Sequence, residues 1–564
     1  MKLQFRFEGE TLLFADPVEV IEVYESEKVM EALERVEAWT MEGYYVAGYV
    51  AYEAAPAFDP AFQVHPTDGP LLSFGVFSGP REEEEEPGGT YEMSEWKLDA
   101  DFESYRKGIS DIKHAIEQGN TYQVNYTARW KAGFRGDPYS LFEKLARRQQ
   151  GRYSAYLETD GRTILSASPE LFFKKEKSTI TTRPMKGTAA RGRTYEEDLN
   201  RRQQLAASEK EQAENVMIVD LLRNDLGRIA ERVRVPQLFS IETYPTVHQM
   251  TSTVTGEVAE TITVKEVFKA LFPCGSITGA PKVKTMEYIS ELEETPREVY
   301  CGAIGYITPQ KDMIFNVPIR TVMVENGVAS YGSGGGITWD SRSSAEYEEM
   351  KTKAKLLDAD FPAFDLLETM RVEKGDFPLL ERHLKRMQET AAYFSYPFNE
   401  ELIRQRLIRS ASDLSLGRVR LLLSESGDVQ VESYDHDDTD KRYKAVLAAT
   451  PINKANPFYY HKTTHRGMYN AHPKKGADTV LLWNEEEELT EFTFANLVVK
   501  KNGVYVTPPV DSGLLAGTMR EELLEKGSIQ EEVVYVKELP DFEEVWMVNG
   551  LRGWMKVDVE EPKR

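Results

Sequence analysis

The sequence is poor in cysteine: Cys274 and Cys301 are the only two among 564 residues. So few thiols exclude a disulfide framework and a cysteine-rich zinc cluster, and they suit a reducing cytoplasm. An uninterrupted apolar run of about 18 residues is missing, so no transmembrane span is expected. Residues 1–8 alternate apolar and charged like a strand, without the apolar stretch of a signal peptide. Positive charge is also short, with 69 Lys+Arg against 93 Asp+Glu and a net charge of -24. With no local basic stripe to offset it, that field repels phosphate backbones and anionic membranes, so neither nucleic acid nor a membrane is an expected partner. A small anionic substrate remains open, because a few arginines and backbone N–H groups reverse the field inside a pocket. Low-complexity tracts are lacking too, and 41% hydrophobic with 29% charged residues is the composition of a folded chain.

At about 150 residues per domain the length allows roughly four units, but the pattern supports two. Helical periodicity covers 29–40, 102–119, 209–226 and 343–357, with strand-like runs at 44–50, 152–158, 163–168 and 314–324. Strands broken by a few helices favour an α+β fold over a regular doubly wound one. Five glutamates between prolines at 80–89 read as a solvated loop. A helix end followed by a proline stop within 356–363 marks a junction, dividing the chain into domains 1–358 and 359–564. The second domain alternates again, with helices predicted over 379–394 and 518–526 and strands over 419–423, 479–483 and 504–507. No fixed-period repeat is present.

Glu211 and Glu214 are three apart and share one face of a predicted helix; Glu346 and Glu349 repeat the spacing on a later one. If the two helices meet, four hard oxygen ligands converge in a way that suits Mg²⁺ with retained waters. Taken singly, each pair reads as well as a solvated acidic face. Around them stand Ser168-Pro169-Glu170, the segment 182–191 with Lys186 at its centre, 273–282 with Cys274 and Thr278, and Tyr331-Gly332-Ser333-Gly334-Gly335-Gly336-Ile337.

In order and spacing these segments resemble the chorismate-utilising enzymes over residues 1–358, most specifically from about 118 onward. The lysine at 186 marks the branch that forms 4-amino-4-deoxychorismate, since the anthranilate-forming branch carries a small residue there. The resemblance implies that Lys186 attacks the chorismate ring as the 4-hydroxyl leaves, and that ammonia then displaces it; such a nucleophile must be an unprotonated amine. It also implies Glu170 as the general acid and His248 near the hydroxyl. Thr278, Tyr306, Arg320 and Lys353 would bind the carboxylate and enolpyruvyl groups, with Gly334, Gly335 and Gly336 giving backbone N–H groups close access. The glycines do not form a dinucleotide fingerprint. No glutamine amidotransferase segment is visible, so ammonia is expected from solution or a separate amidotransferase subunit.

Residues 366–552 resemble the fold-type IV pyridoxal-phosphate enzymes, a smaller α+β domain whose members include aminodeoxychorismate lyase, branched-chain aminotransferase and D-amino-acid aminotransferase. The resemblance implies Lys462 as the cofactor-bearing lysine and Glu491 as the carboxylate that keeps the pyridine nitrogen protonated. Gly517 and Thr518 precede a predicted helix and would hold the phosphate with Arg386, supported by Asn496. His461 and His465 are four apart, but without a third ligand they make a poor zinc site. The opening at 363–371 is shorter than the family's, which predicts a trimmed first subdomain. The two resemblances together imply two-step 4-aminobenzoate synthesis for folate: chorismate is aminated, and pyruvate is then eliminated. A C-terminal aminotransferase, or a C-terminal domain that only stabilises the first, are the alternatives, and homodimerisation through the second domain is one mode of assembly.

Overall fold

The computed structural model describes all residues except 83–87, 355–356, 358–362, 413, 437–440 and 561–564. Most of the glutamate loop and the centre of the expected junction therefore lie outside the described residues. The chain forms two compact units, Met1–Ala190 with Arg202–Phe361, and Arg191–Arg201 with Pro362–Arg564. The short segment 191–201 leaves the first unit to join the second, which a linear division at 358 does not anticipate. Among the described residues no helix is long and apolar enough to cross a membrane.

The first unit is built on two ten-stranded sheets whose pairings are all antiparallel. Alternation in Lys2–Phe7 turns Leu3, Phe5 and Phe7 inward, where they share a core with Ala47, Tyr49, Ile304 and Ile314 of the other sheet. Helices cover the outer faces. Val29, Leu33 and Val36 pack on one sheet together with Val267, Phe268 and Leu271, while Tyr139, Phe142 and Leu145 pack on the other. Burial of these branched and aromatic side chains is the main force holding the layers together, at about 25 cal/mol per Å² of apolar surface.

Two helices matter for the site. Glu209–Leu226 begins where the Ser208 hydroxyl accepts the Glu211 N–H, and it packs on the strands Met185–Ala190 and Val247–Glu257. Ser343–Ala354 folds back onto the strand Val328–Ile337 that precedes it. The expected strand run at 314–324 is two strands, Met313–Asn316 and Thr321–Glu325. They are separated by Pro318 and by Arg320, whose φ of 53° is left-handed.

The second unit joins a three-stranded antiparallel sheet, Leu366–Glu373, Leu416–Leu423 and Val429–Asp435, to an eight-stranded mixed sheet. The helices Leu380–Phe394 and Glu400–Ala411 cover the smaller sheet. The opening at 363–371 leads straight into the paired strand Leu366–Glu373 of the smaller sheet.

Candidate active sites

A cavity of about 190 Å³ in the first unit collects most of the predicted first-site residues: Glu170, Lys186, Glu211, Glu214, Arg320, the three glycines, Glu346, Glu349 and Lys353. Local geometry explains how Lys186 enters it. The register between Met185–Ala190 and its partner strand shifts between Met185 and Thr188, and Gly187 there has a φ of 94°. A bulge of this kind re-aims a side chain, and glycine permits the backbone it needs. A Cβ on Gly187 would sit 3.1 Å from Glu211 Oε2, and one on Gly336 would sit 2.6 Å from Lys186 Nζ. The glycines thus make room for side chains to approach.

The electrostatics pair an amine with an acid. Burial pushes the Lys186 ammonium down, assisted by Lys353 and opposed by Glu214 and Glu170. Burial pushes Glu170 up to about 7, opposed by a 2.6 Å hydrogen bond from the Ser276 hydroxyl to its Oε1 and by Lys186. Burial thus shifts Lys186 toward the neutral amine and leaves Glu170 a carboxyl that still carries part of its proton near neutral pH.

Of the four glutamates, Glu211 and Glu346 are pushed up by burial and by the neighbouring Glu214 and Glu349. Glu349 is pulled down by Lys353, 2.8 Å away. Two carboxylates raised by burial and by like charge, in spite of nearby lysines, form a donor set that suits a divalent cation. Among the described residues no three His, Cys, Asp or Glu side chains are gathered tightly enough to hold one alone. Mg²⁺ commonly takes one or two carboxylates and completes its shell with waters and substrate. Arg320 donates from Nη1 to the Lys353 carbonyl at 2.8 Å, and Lys353 Nζ donates to the Gly334 carbonyl at 2.8 Å, fixing helix to strand.

Three predicted residues are not brought to this cavity. His248 is buried beside Thr243, 3.1 Å from its hydroxyl, while its neighbours Val247 and Gln249 line the cavity. Alternation along the strand turns it to the other face. Thr278 directs its hydroxyl to the Cys274 and Gly275 carbonyls within its own turn. Tyr306 packs between the sheets against Phe5 and Phe7. Tyr300, which the sequence reading passed over, lines the cavity instead. So does Ser276, whose nearness to Glu170 no local spacing reveals.

The second unit holds a cavity of about 480 Å³ lined by Arg386, Lys462, Glu491, Asn496, Gly517 and Thr518. All six predicted cofactor residues meet there. Burial pushes Lys462 down to about 8, with Glu368 opposing and Arg386 assisting. Glu491 is pushed up to about 8 by burial and accepts hydrogen bonds from Tyr469 Oη at 2.8 Å and Asn496 Nδ2 at 3.2 Å. A buried carboxylate raised this far lacks a cationic partner, which a protonated pyridine nitrogen would supply. Gly517 caps the helix Thr518–Glu525, and a Cβ there would lie 1.9 Å from Asn496 Oδ1. The residues present therefore fit pyridoxal phosphate.

Glu368 is the important omission from the sequence reading. It takes Arg386 through Nε at 2.8 Å and Nη2 at 2.7 Å, takes His383 Nδ1 at 2.7 Å, and lies 3.9 Å from Lys462 Nζ. Arg386 foremost, with the His383 hydrogen bond and Lys462, holds its carboxyl well below the usual range despite complete burial. Its signal was an acid at an inward position of Leu366–Glu373, where Leu366, Met370 and Val372 are the other buried residues. Segment 461–466 is not helical, so His461 and His465 share no helix face. His461 is pushed down to about 3 by burial and packs 4.1 Å from the Tyr393 ring.

Comparison with known proteins gives two matches along the chain. Residues 78–358 match the chorismate binding enzyme family and 365–559 the amino-transferase class IV family. Among curated relatives, aminodeoxychorismate synthase component 1 of Klebsiella aerogenes is 43% identical over 258 residues, and its Bacillus subtilis counterpart 41% over 254. The alignments span 45% of this chain and only 57% and 54% of those relatives' lengths. The crystal structure of anthranilate synthase component I from Streptococcus pneumoniae superposes with a TM-score of 0.54 at 24% identity, covering 63% of this chain and 92% of that one, which shows the fold alone.

Proposed function

We propose that this chain makes 4-aminobenzoate from chorismate in two steps, a reading supported by the match of residues 78–358 to the chorismate binding enzymes and of residues 365–559 to the class IV aminotransferases. The observation that carries the first step is the pairing of Lys186, its amine pushed toward neutrality, with Glu170, its carboxyl raised to about 7, in one cavity. The Lys186 lone pair forms a C–N bond to the chorismate ring while the bond from ring carbon 4 to its hydroxyl breaks. Glu170 gives its proton to that oxygen, which leaves as water. Ammonia then bonds to carbon 4, the lysine's C–N bond breaks, and Glu170 takes a proton from the incoming nitrogen. The product is 4-amino-4-deoxychorismate. Arg320 and the glycine strand would hold substrate carboxylates, and one or two of Glu211, Glu214, Glu346 and Glu349, with waters and substrate completing the shell, would hold Mg²⁺, which would supply charge neutralisation there. The designation of the relatives as component 1 supports a separate partner subunit, which on this reading would be a glutamine amidotransferase supplying the ammonia.

In the second unit, bound pyridoxal phosphate supplies an electron sink. Lys462 would carry it and, with a pKa near 8, can accept and return a proton close to neutral pH. Glu491 would hold a proton at the pyridine nitrogen, with Asn496 orienting it. Arg386, Gly517 and Thr518 would take the phosphate. This unit would release pyruvate and leave an aromatic ring.

The test is product analysis after mixing the full chain with chorismate, ammonium, Mg²⁺ and pyridoxal phosphate. Equal amounts of 4-aminobenzoate and pyruvate are expected. Lys186→Ala should lose at least about 100-fold in the 4-amino product. Lys462→Ala should consume chorismate yet stop at 4-amino-4-deoxychorismate. Formation of 2-aminobenzoate by the unaltered chain would refute the first assignment, and an unaltered chain that stops at the intermediate would refute the second.

A further inference from the structure

The second-site cavity has three arginines in its wall, and two are already engaged. Arg386 is held by Glu368 and by the Ala516 carbonyl, while Arg466 donates to the Thr493 carbonyl and lies over the Tyr469 ring. The third, Arg552, has a guanidinium that no hydrogen bond or ion pair engages among the described residues. Arg552 also lines an adjoining cavity of about 600 Å³, shared through Tyr443 and Gly550. It therefore stands at the boundary of the Lys462 cavity and not deep within it.

Its backbone is held in place. Arg552 lies at the tip of the hairpin between Glu544–Asn549 and Gly553–Glu560, where Asn549 Oδ1 accepts the N–H groups of Leu551 at 3.1 Å and Arg552 at 2.9 Å. Arg371 donates from Nη1 to the Leu551 carbonyl at 3.1 Å, and Gly553 closes the turn with a φ of 66°. Asparagine turns of this kind fix a tip that would otherwise fray. Arg552 is exposed, so its guanidinium stands on a fixed backbone at the open edge of the cavity, where it can meet a planar anion.

On the reading given above, the substrate carries its amine on ring carbon 4 and a carboxylate on carbon 1, directly across the ring. With the amine directed at Lys462, that carboxylate is the group farthest from the chemistry, and the cavity boundary is where it emerges. We propose that Arg552 is the specificity-determining residue of the second site and binds the ring carboxylate of the substrate and of the 4-aminobenzoate product. This rests on the lyase reading for the substrate's identity, but the recognition of a para carboxylate can be tested separately.

Two measurements on the full, cofactor-loaded chain decide it. With purified 4-amino-4-deoxychorismate, Arg552→Gln should raise KM about 10- to 100-fold while kcat changes less than about threefold, the loss expected for one charge-assisted hydrogen-bonded pair. Arg552→Lys should recover part of it. The binding of 4-aminobenzoate is then compared with that of its neutral isostere 4-aminobenzamide by calorimetry. The unaltered chain should prefer the acid by about tenfold or more, and Arg552→Gln should remove the preference with cofactor absorbance unchanged. If Arg552→Gln keeps both KM and the preference, the proposal is overturned. If the unaltered chain forms no 4-aminobenzoate from the intermediate, the lyase reading fails, and the calorimetry alone decides: a preference lost on substitution supports the guanidinium site, and no preference in the unaltered chain overturns it.

Discussion

Ser276→Ala isolates the acid in the first site. In the folded chain Glu170 titrates near 7, because burial raises it further than Ser276 and Lys186 pull it back. The Ser276 hydroxyl donates to Oε1 at 2.6 Å and so favours the ionised carboxylate. A hydrogen bond to a charged group is worth about 1.5–3 kcal/mol, and about 1.4 kcal/mol corresponds to one pKa unit. Removing it should therefore move the titration up by about one to two pH units. A general acid works while protonated, so activity declines as pH rises through its pKa, and the alkaline limb should move upward in Ser276→Ala. The assay is single-turnover consumption of chorismate without ammonium, so that ammonia's own titration does not enter. Lys186 acts only once its proton is lost, so activity rises with pH through its titration and falls through that of Glu170. Glu170→Gln should lose about 10²- to 10⁴-fold and the alkaline limb with it. An alkaline limb that stays in place or moves down in Ser276→Ala would refute the assignment of Glu170 as the acid.

Other perturbations test the surrounding structure. Gly336→Ala places a methyl group 2.6 Å from Lys186 Nζ and 1.8 Å from Gln123 Nε2, so chorismate consumption should fall about 100-fold with the melting temperature little changed, by the sensitivity of catalysis to displacements of about 1 Å. Glu368→Gln breaks a buried cluster around Arg386, His383 and Lys462 and should destabilise the second unit by about 3–5 kcal/mol, seen in thermal unfolding. Since the folded carboxyl of Glu368 titrates below its unfolded value, its contribution is complete above the ordinary carboxylate range and is lost only as pH falls through the folded value. EDTA should stop chorismate consumption and added Mg²⁺ restore it, while release of pyruvate from supplied 4-amino-4-deoxychorismate continues.

Local pattern revealed the elements better than it revealed the directions of side chains. The helix Glu209–Leu226 was legible in full, because its serine cap and acidic first turn are local signals. The split of 314–324 into two strands turned on one proline and one left-handed arginine, which apolar content obscures. Tyr306 and Tyr300 are six residues apart and both aromatic. Which of them meets a cavity depends on what the opposite sheet places against Tyr306, and no spacing within the segment carries that. Arg386 lies on an exposed-looking helix stripe, yet its side chain is 13% exposed because Glu368, 18 residues earlier on a strand, receives it. Long-range pairing of this kind is set by the sheet.

The two units reach the same electrostatic solution on unrelated scaffolds. Each surrounds a lysine with carboxylates whose attraction would keep it charged, Glu214 and Glu170 for Lys186 and Glu368 and Glu491 for Lys462. In each, burial outweighs that attraction, and a second cation assists: Lys353 in one case, Arg386 in the other. Loss of hydration penalises the ammonium, so each amine is shifted toward its neutral form, Lys462 to a pKa of about 8. On the function proposed, the carboxylates would then be available for other work, as proton donor in the case of Glu170 and as partner to a ring nitrogen in the case of Glu491. In the second cavity Arg386, Lys462, Arg466 and Arg552 outnumber Glu491, which suits a small anionic ligand even in a chain of net charge -24, whereas the first cavity sets five glutamates against four cations. Replacing Lys353 with methionine separates these effects. Losing a nearby cation should raise the Lys186 pKa and carry the acidic limb of the single-turnover profile to higher pH, while the Lys462 limb, measured with supplied intermediate, stays in place. Movement of both limbs would show that the lysine in each unit responds to the field of the whole chain and not to its own cavity.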